Sequence, residues 1–191
     1  KNKFQAIETF LIGGLMIYKA KEYAYLKHQG QTRKEKQVPF TNHLDEAYEI
    51  ARTLTDDEII LSATYLHDVV EDTDATIDDV RELFGDEVAY YVALETEDKR
   101  EHLSSRETWK IRKEEQLAHL NKFKTKELTI TVLADKLANT NEMVKDYHEI
   151  GDELWLRFNN NQLDEIGWYY RSMAEIIGEF HRESDAYRQL G

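Results

Sequence analysis

The sequence predicts an all-α protein, and two of its patterns carry that prediction. Apolar residues recur three or four positions apart along most of the 191-residue chain, which is the spacing of one face of a helix. A Thr or Ser is followed three residues later by Asp or Glu at Thr55, Thr76 and Ser104. In such a capping box each side chain binds a free backbone N–H of the first turn, so each pair predicts a helix start.

The first part of the chain is predicted to hold two helices joined by a basic loop. The first helix covers about residues 4–18, with glycines at 13 and 14 that weaken it or let another helix approach closely. Residues 31–37 form the densest basic run of this region. Thr41 opens the second helix, whose first turn contains His43. The loop is either a solvated segment or a basic lip over an anionic ligand.

Residues 65–73 combine a histidine with several carboxylates, and we expect them to lie on one amphipathic helix. One histidine and three carboxylates fall within six positions. On a continuous helix His67 would lie over Glu71, and Asp68 over Asp72. Like charges four residues apart destabilise a helix unless a cation neutralises them. The stretch is therefore either a metal-binding segment or a solvated acidic helix end.

Three further helices are predicted before residue 125. They cover Thr76–Gly85, Asp86–Leu94 and a long charged segment that begins after Ser104. Basic residues three or four apart on the last of these helices form either a potential basic strip or a solvated face: Arg106, Lys110 and Lys113.

Residues 127–144 fit two structures. The β-branched run 129–132 favours a strand, whereas the spacing of polar and apolar residues around it is helical. On a helix, Asp135 and Asn139 would share one face. Because apolar residues surround Asp135 in the sequence, we expect its carboxylate to be partly buried, which is unfavourable unless it is paired, hydrogen-bonded or bound to a metal.

The C-terminal part is predicted to contain a connection over residues 147–155, a turn at 159–161 and a last helix from about Asp164. The apolar and aromatic residues of that helix recur at helical spacing, so we expect them to be core. No residue after Gly151 belongs to a recognisable catalytic motif.

Composition limits the function. A net charge of −13 argues against nucleic acid as a partner, because nucleic-acid-binding proteins usually carry a basic face. No apolar run approaches the roughly 20 residues that cross a bilayer. The absence of cysteine restricts any metal site to nitrogen and oxygen ligands and fits a cytoplasmic location. A small anionic ligand remains compatible if a metal or a local basic patch offsets the repulsion.

The order and rough spacing of His43, His67-Asp68 and Asp135 resemble those of the metal ligands in HD-domain phosphohydrolases. The resemblance extends to the hydrolase domain of the Rel/Spo alarmone enzymes, and the compact chain looks like a small alarmone hydrolase. The segments that carry this similarity are Arg33-Lys34, Pro39-Phe40, residues 67–73, Phe84–Val88 and Leu133–Asn139. The similarity covers about residues 4–148. We expect one domain over residues 1–191, with residues 152–191 as a helical extension.

This resemblance implies a fold, an activity and a cofactor. The fold would be a compact helical bundle around a single metal site. The activity would be hydrolysis of the 3′-diphosphate of guanosine tetraphosphate or pentaphosphate (ppGpp or pppGpp), releasing pyrophosphate and GDP or GTP. The cofactor would be one divalent ion, Mn²⁺, because two His and two Asp ligands favour Mn²⁺-like ions over Ca²⁺.

The resemblance also implies roles for individual residues. The metal ligands would be His43, His67, Asp68 and Asp135. Glu71 and Asp72 match the acidic pair that positions or activates the attacking water. Residues that match substrate contacts are Arg33 and Lys34 at the base and sugar, and Asn139 at the sugar.

Departures from the family pattern leave the substrate open. They are Glu35, Leu44, Lys136 and Ala138, none of which matches a metal ligand. The alternatives are an HD-fold phosphatase that acts on another phosphorylated nucleotide such as NADPH, and a nucleotide-binding regulator without turnover. The sequence leaves undecided the oligomeric state, the biological role and whether Lys99, Arg106 or Lys110 contacts substrate phosphates.

Overall fold

A computed structural model describes residues 2–33, 36–100, 102–158 and 160–190, with side chains from residue 15 onward. The regular elements of these ranges are helices, apart from an isolated β-bridge between Thr32 and Pro39 in the basic loop. The all-α prediction is confirmed. Among the described residues, no helix combines the length and apolarity needed to cross a bilayer.

The described residues form ten α-helices and one 3₁₀ helix. The α-helices are Asn2–Lys27 (α1), Thr41–Ala51 (α2), Glu58–Leu66 (α3), Val69–Asp72 (α4), Ile77–Phe84 (α5), Asp86–Glu95 (α6), Ser105–Phe123 (α7), Lys126–Ile150 (α8), Leu163–His181 (α9) and Asp185–Leu190 (α10). The 3₁₀ helix covers Gly151–Arg157. The helix predicted from about Asp164 is α9, which begins one residue earlier, at Leu163. Helix α10 was not predicted.

Helix α8 is the centre of the packing. It contacts α2 and α3 on one side and α9, α10 and the 3₁₀ helix on the other. One apolar cluster fills the space among α1 to α6, and a second fills the space among α7 to α10. A third cluster, rich in alanine, joins α8 to α2 and α3. Small side chains let these three backbones approach closely.

The helical alternative for residues 127–144 is correct. Thr125 caps α8 by accepting a hydrogen bond from the amide of Leu128 at 3.1 Å. The hydroxyl groups of Thr129 and Thr131 donate to carbonyls of the preceding turn, at 2.8 Å in each case. These bonds pair the threonine hydroxyl groups within the helix. Together with the packing of α8 against its neighbouring helices, they outweigh the strand propensity of the run 129–132. The predicted connection over 147–155 is wrong, because α8 continues to Ile150 and the 3₁₀ helix follows.

The prediction of one continuous helix through His67 and Asp68 is also wrong. Helix α3 ends at Leu66 and α4 begins at Val69. The ring Nδ1 of His67 bonds the Thr64 carbonyl at 2.7 Å, the group that a continued helix would pair with the amide of Asp68. Asp68 has φ −96° and ψ −5°, in the sparsely populated bridge region. The break turns two neighbouring side chains toward one point, whereas a regular helix would separate them by about 100°.

The three predicted capping boxes have different outcomes. Thr76 and Asp79 form both reciprocal bonds at the start of α5. At α3 the cap is Asp57, whose carboxylate accepts from the amide of Ile59 at 2.9 Å, so the box predicted at Thr55 is wrong. At α7 the helix starts as predicted, but Ser104 makes no side-chain capping bond.

The two capping positions give a matched test of stability. Thr76→Ala should lower the free energy of unfolding by about 1 kcal/mol, because it leaves a first-turn amide of α5 without its partner. Ser104→Ala should change it by less than about 0.5 kcal/mol, because no capping bond is lost. Urea unfolding followed by circular dichroism measures both. Equal effects of the two substitutions would contradict the capping geometry.

Candidate metal centre

Four side chains from three segments of the chain meet at one point. His43 lies in the first turn of α2, His67 and Asp68 lie at the break between α3 and α4, and Asp135 lies in the middle of α8. The ligand atoms of His43, His67 and Asp135 all lie within 4.8 Å of one another, and the three residues are buried.

The distances at this point are short and similar. The Nε2 atoms of His43 and His67 are 3.3 Å apart. An Asp68 carboxylate oxygen lies 3.0 Å from the His67 Nε2 and 3.6 Å from the His43 Nε2. An Asp135 oxygen lies 3.2 Å from the His43 Nε2 and 3.6 Å from the His67 Nε2. All four predicted metal-ligating residues are therefore brought together.

Neighbouring residues fix the orientation of these side chains. The bond from His67 Nδ1 to the Thr64 carbonyl requires a proton on Nδ1, so Nε2 is the ring nitrogen that faces the other three residues. Asn139 donates to one oxygen of Asp135 at 2.6 Å, and Lys136 binds the other at 2.5 Å. Partners of this kind are typical of metal-ligating residues.

The electrostatics of the site favour a bound cation. Burial opposes ionisation of Asp68, but the charge and hydrogen bond of His67 lower its pKa to about 2. Burial likewise opposes ionisation of Asp135, but Lys136 and the two histidines hold its pKa well below the usual range. Both groups are therefore carboxylates. Two imidazole nitrogens 3.3 Å apart repel unless a proton or a metal ion lies between them, so the donor set fits a divalent ion.

The acidic pair Glu71 and Asp72 lines the same cavity. Burial, reinforced by the charge of Asp68, raises the pKa of Glu71 to about 7, while Lys99 opposes the rise. The ammonium group of Lys99 forms an ion pair with Asp72 and lies 3.6 Å from a Glu71 oxygen. The backbone amide of Glu97 also donates to Glu71, at 3.3 Å. Glu71 therefore has a pKa near neutrality.

Two of the predicted substrate-binding residues contact each other beside the metal centre. Arg33 donates to the side-chain oxygen of Asn139 at 2.8 Å and to Glu142 at 2.7 Å. Its guanidinium also lies over the ring of Phe40, 5.4 Å from the centroid. Because Asn139 binds Asp135 as well, Arg33 is linked to the metal centre. Lys34 lies outside the described residues, as does Glu35.

The other basic residues considered from the sequence are separated in the structure. Lys99 lies at the acidic pair, as described above. Lys113 lines the metal cavity, whereas Lys110 lies over the ring of Trp168, 3.3 Å from its centroid. Arg106 is exposed. The potential basic strip on α7 is therefore not a single surface.

A narrow cavity and a wider groove meet at this site. The cavity, of about 190 Å³, contains the four converging residues and the acidic pair. The groove, of about 720 Å³, is lined by aromatic rings and by basic side chains, which include Trp109, Phe158, Tyr170, Lys36 and Arg157. Arg33, Phe40, Asp72 and Asn139 line both. The metal centre is thus continuous with a space large enough for a bulky polar ligand.

Three charged residues of the cavity wall were not assigned to the metal site from the sequence: Glu95, Glu97 and Lys113. Glu97 binds Arg112 and Lys113, each at 2.9 Å. Glu95 ends α6, Glu97 lies in the connection to α7, and Lys113 lies on α7, all outside the metal-ligand motifs. The available signal for Glu95 was a carboxylate directly after the apolar run 92–94, which is weak without knowledge of the neighbouring helices.

Comparison with known proteins decides the family. The sequence matches the HD domain over residues 20–155. The chain belongs to the HD-domain family. This match includes all four converging residues and the acidic pair, and it leaves α9 and α10 outside.

HD-domain relatives match much of the chain. The Drosophila melanogaster guanosine-3′,5′-bis(diphosphate) 3′-pyrophosphohydrolase MESH1 is 39% identical over 125 residues, which span 64% of this chain and 66% of that protein. Human MESH1 is 31% identical over 167 residues, with 84% and 82% coverage. A solved structure described as a metazoan ortholog of SpoT that hydrolyses ppGpp has a TM-score of 0.61 and 30% identity, with 90% and 96% coverage. The resemblance to HD-domain alarmone hydrolases is thereby confirmed.

The raised pKa of Glu71 predicts how stability depends on pH when metal is removed. The Glu71 carboxyl group has a pKa of about 7 in the folded protein and its ordinary value of 4.5 in the unfolded chain. Such a group contributes its full stabilisation of the fold below pH 4.5. That contribution is lost as the pH rises to about 7. Glu71→Gln removes this dependence, so the variant should gain up to about 3 kcal/mol relative to the parent protein between pH 4.5 and 8.

Urea unfolding in EDTA at several pH values measures this difference. Glu114→Gln, on the exposed face of α7, is the matched control and should follow the parent protein. Parallel curves for the Glu71→Gln variant and the parent would contradict the assigned environment of Glu71.

Proposed function

We propose that the chain is a metal-dependent hydrolase that removes the 3′-diphosphate of ppGpp and pppGpp. The observation that carries this proposal is the convergence of two histidines and two aspartates beside a partly buried glutamate whose pKa is near neutrality. The activity named for the MESH1 relatives supports the choice of substrate. The groove next to the site supports a nucleotide rather than a smaller phosphate ester.

In this proposal His43, His67, Asp68 and Asp135 hold one divalent ion. Their two imidazoles and two carboxylates favour Mn²⁺ over Ca²⁺, which prefers cages made of oxygen ligands alone. When bound, the ion polarises a phosphate oxygen and lowers the pKa of a water molecule.

The acidic pair has two different tasks in the proposed reaction. Glu71 accepts the proton of the attacking water, because a general base works best when its pKa lies near the operating pH. Asp72 is paired with Lys99 and holds that cation beside the reacting phosphates. Lys99 would thereby reduce the repulsion between an anionic substrate and a protein of net charge −13.

The groove binds the nucleoside part of the substrate. Arg33 stacks on Phe40 and is held by Asn139, so its guanidinium is fixed at the boundary between groove and cavity. The aromatic rings of the groove offer stacking faces for a base. By resemblance, Lys34 contributes to the same side of the pocket.

The proposed reaction is a single displacement at phosphorus. Water forms a bond to the phosphorus next to the 3′-oxygen, and the bond between that phosphorus and the 3′-oxygen breaks. Pyrophosphate and GDP or GTP are the products. Glu71 takes one proton from the water and releases it to solvent, and the departing 3′-oxygen takes up one proton from solvent to become a hydroxyl group. The cysteine-free sequence fits a reducing compartment, and we place the reaction in the cytoplasm, in one domain formed by residues 1–191.

Incubation of chelator-treated protein with ppGpp, with and without Mn²⁺, tests the proposal. Anion-exchange separation should show GDP and pyrophosphate only when Mn²⁺ is present. His67→Ala or Asp68→Ala should reduce turnover at least a hundredfold, because each removes a metal ligand and the bound ion supplies several kcal/mol of transition-state stabilisation. His148→Ala, an exposed position on α8, is the control and should retain turnover. Full activity of the His67→Ala variant would refute the assigned site.

A substrate panel under the same metal conditions tests the nucleotide. NADPH is the second substrate, with phosphate release from its 2′ position as the readout. Turnover of NADPH without turnover of ppGpp would keep the metal centre and overturn the alarmone assignment. Absence of turnover with every substrate, in a folded protein that binds Mn²⁺, would favour a nucleotide-binding regulator.

A further inference from the structure

Glu95 is a carboxylate of the metal cavity that none of the proposed steps uses. It is the last residue of α6 and lines the cavity together with His67, Asp68 and Asp135. Its position in the fold is set by Val92 and Ala89, which are buried on the preceding turns of α6. Glu95 therefore faces the cavity because α6 packs its apolar side against the core.

One oxygen of Glu95 is buried and has no hydrogen-bond partner in the described part of the protein. The hydroxyl group of Thr131 on α8 lies close enough to the Glu95 carboxyl group to lower its pKa, but that hydroxyl donates its proton to the Leu128 carbonyl at 2.8 Å. The ammonium group of Lys136 binds Asp135 instead. The free oxygen is thus an acceptor that faces a polar cavity without a donor.

This arrangement destabilises the protein in two ways. A buried acceptor without a partner loses the hydrogen bond that water would give it in the unfolded chain. A carboxylate in the last turn of a helix is also repelled by the negative end of the helix dipole, and α6 has no basic residue in its last turn. Burial raises the pKa of Glu95 to about 7, although His67, the Thr131 hydroxyl group and Lys136 oppose the rise. A donor to the free oxygen that is held by a nearby cation would reduce both penalties.

The cavity has room for such a donor. Its volume of about 190 Å³ exceeds that of one ion and corresponds to about six water molecules at roughly 30 Å³ each. Unlike Asp68 and Asp135, Glu95 makes no ion pair with His43 or His67, so it is not placed as a direct ligand. A hydrogen bond through one water molecule fits its position.

We infer that Glu95 is a positioning residue of the metal centre, which accepts a hydrogen bond from a water molecule on the divalent ion and raises the affinity of the site. This inference rests on the proposed metal site. It adds a fifth residue, Glu95, to the four that would hold the ion. Partners outside the direct ligands commonly change metal affinity 10- to 100-fold. The carboxylate would also bring negative charge near a dication, which strengthens binding.

Titration calorimetry of chelator-treated protein with Mn²⁺ tests the inference. Glu95→Gln should weaken binding about 10- to 100-fold, and Glu95→Asp should restore part of the loss because it keeps the charge. Thermal melting of the metal-free Glu95→Gln variant should show an unchanged or higher Tm, since a buried, poorly paired charge is removed. The increase in Tm on adding Mn²⁺ should be smaller than in the parent protein.

Glu87→Gln is the matched control, because Glu87 lies on the same helix, α6, and is exposed. Its Mn²⁺ affinity should equal that of the parent. Equal affinities of the parent and Glu95→Gln proteins, or equal losses in the Glu95→Gln and Glu87→Gln proteins, would overturn the inference. If the parent binds Mn²⁺ but does not hydrolyse ppGpp, only the proposed substrate fails. If it binds no Mn²⁺, both proposals fail.

Discussion

The close packing of α8 against α2 and α3 is the constraint on which the site depends. Ala47 and Ala51 of α2 and Ala134 and Ala138 of α8 are completely or almost completely buried. With side chains no larger than a methyl group, the helices approach closely enough for His43 and Asp135 to lie 3.2 Å apart. A larger residue at any of these positions would separate the metal-ligating side chains before it changed the rest of the fold.

Charge balance explains why this cavity suits a cation. Four of the six acidic residues that line it pair with a lysine or arginine: Asp135 with Lys136, Glu97 with Arg112 and Lys113, and both Asp72 and Glu71 with Lys99. Asp68 lies 3.0 Å from the His67 Nε2, and one oxygen of Glu95 has no partner. Unpaired buried charge is costly, so a divalent ion would stabilise the same arrangement that the four converging residues prepare. The same bound ion would therefore stabilise the fold and serve the proposed chemistry.

Local signals explain which features could be predicted from the sequence. The cap at Thr76 depends on residues three positions apart and was predicted correctly. The break at His67 was not, because it depends on a ring that competes for the Thr64 carbonyl and on the position of α8. The sequence identified the four converging residues through their spacing and their family resemblance. Lys99 at the acidic pair and Glu95 in the cavity depend on how α6 and α7 pack, which no local pattern records.

The central claim is that four side chains, two histidines and two aspartates, hold one divalent ion. Anomalous diffraction from crystals grown with Mn²⁺ tests it most directly, because the signal locates the ion without reference to activity. The predicted result is one strong peak within coordination distance of His43, His67, Asp68 and Asp135. A peak elsewhere in the protein, or none at this point in a crystal that contains Mn²⁺, would contradict the claim.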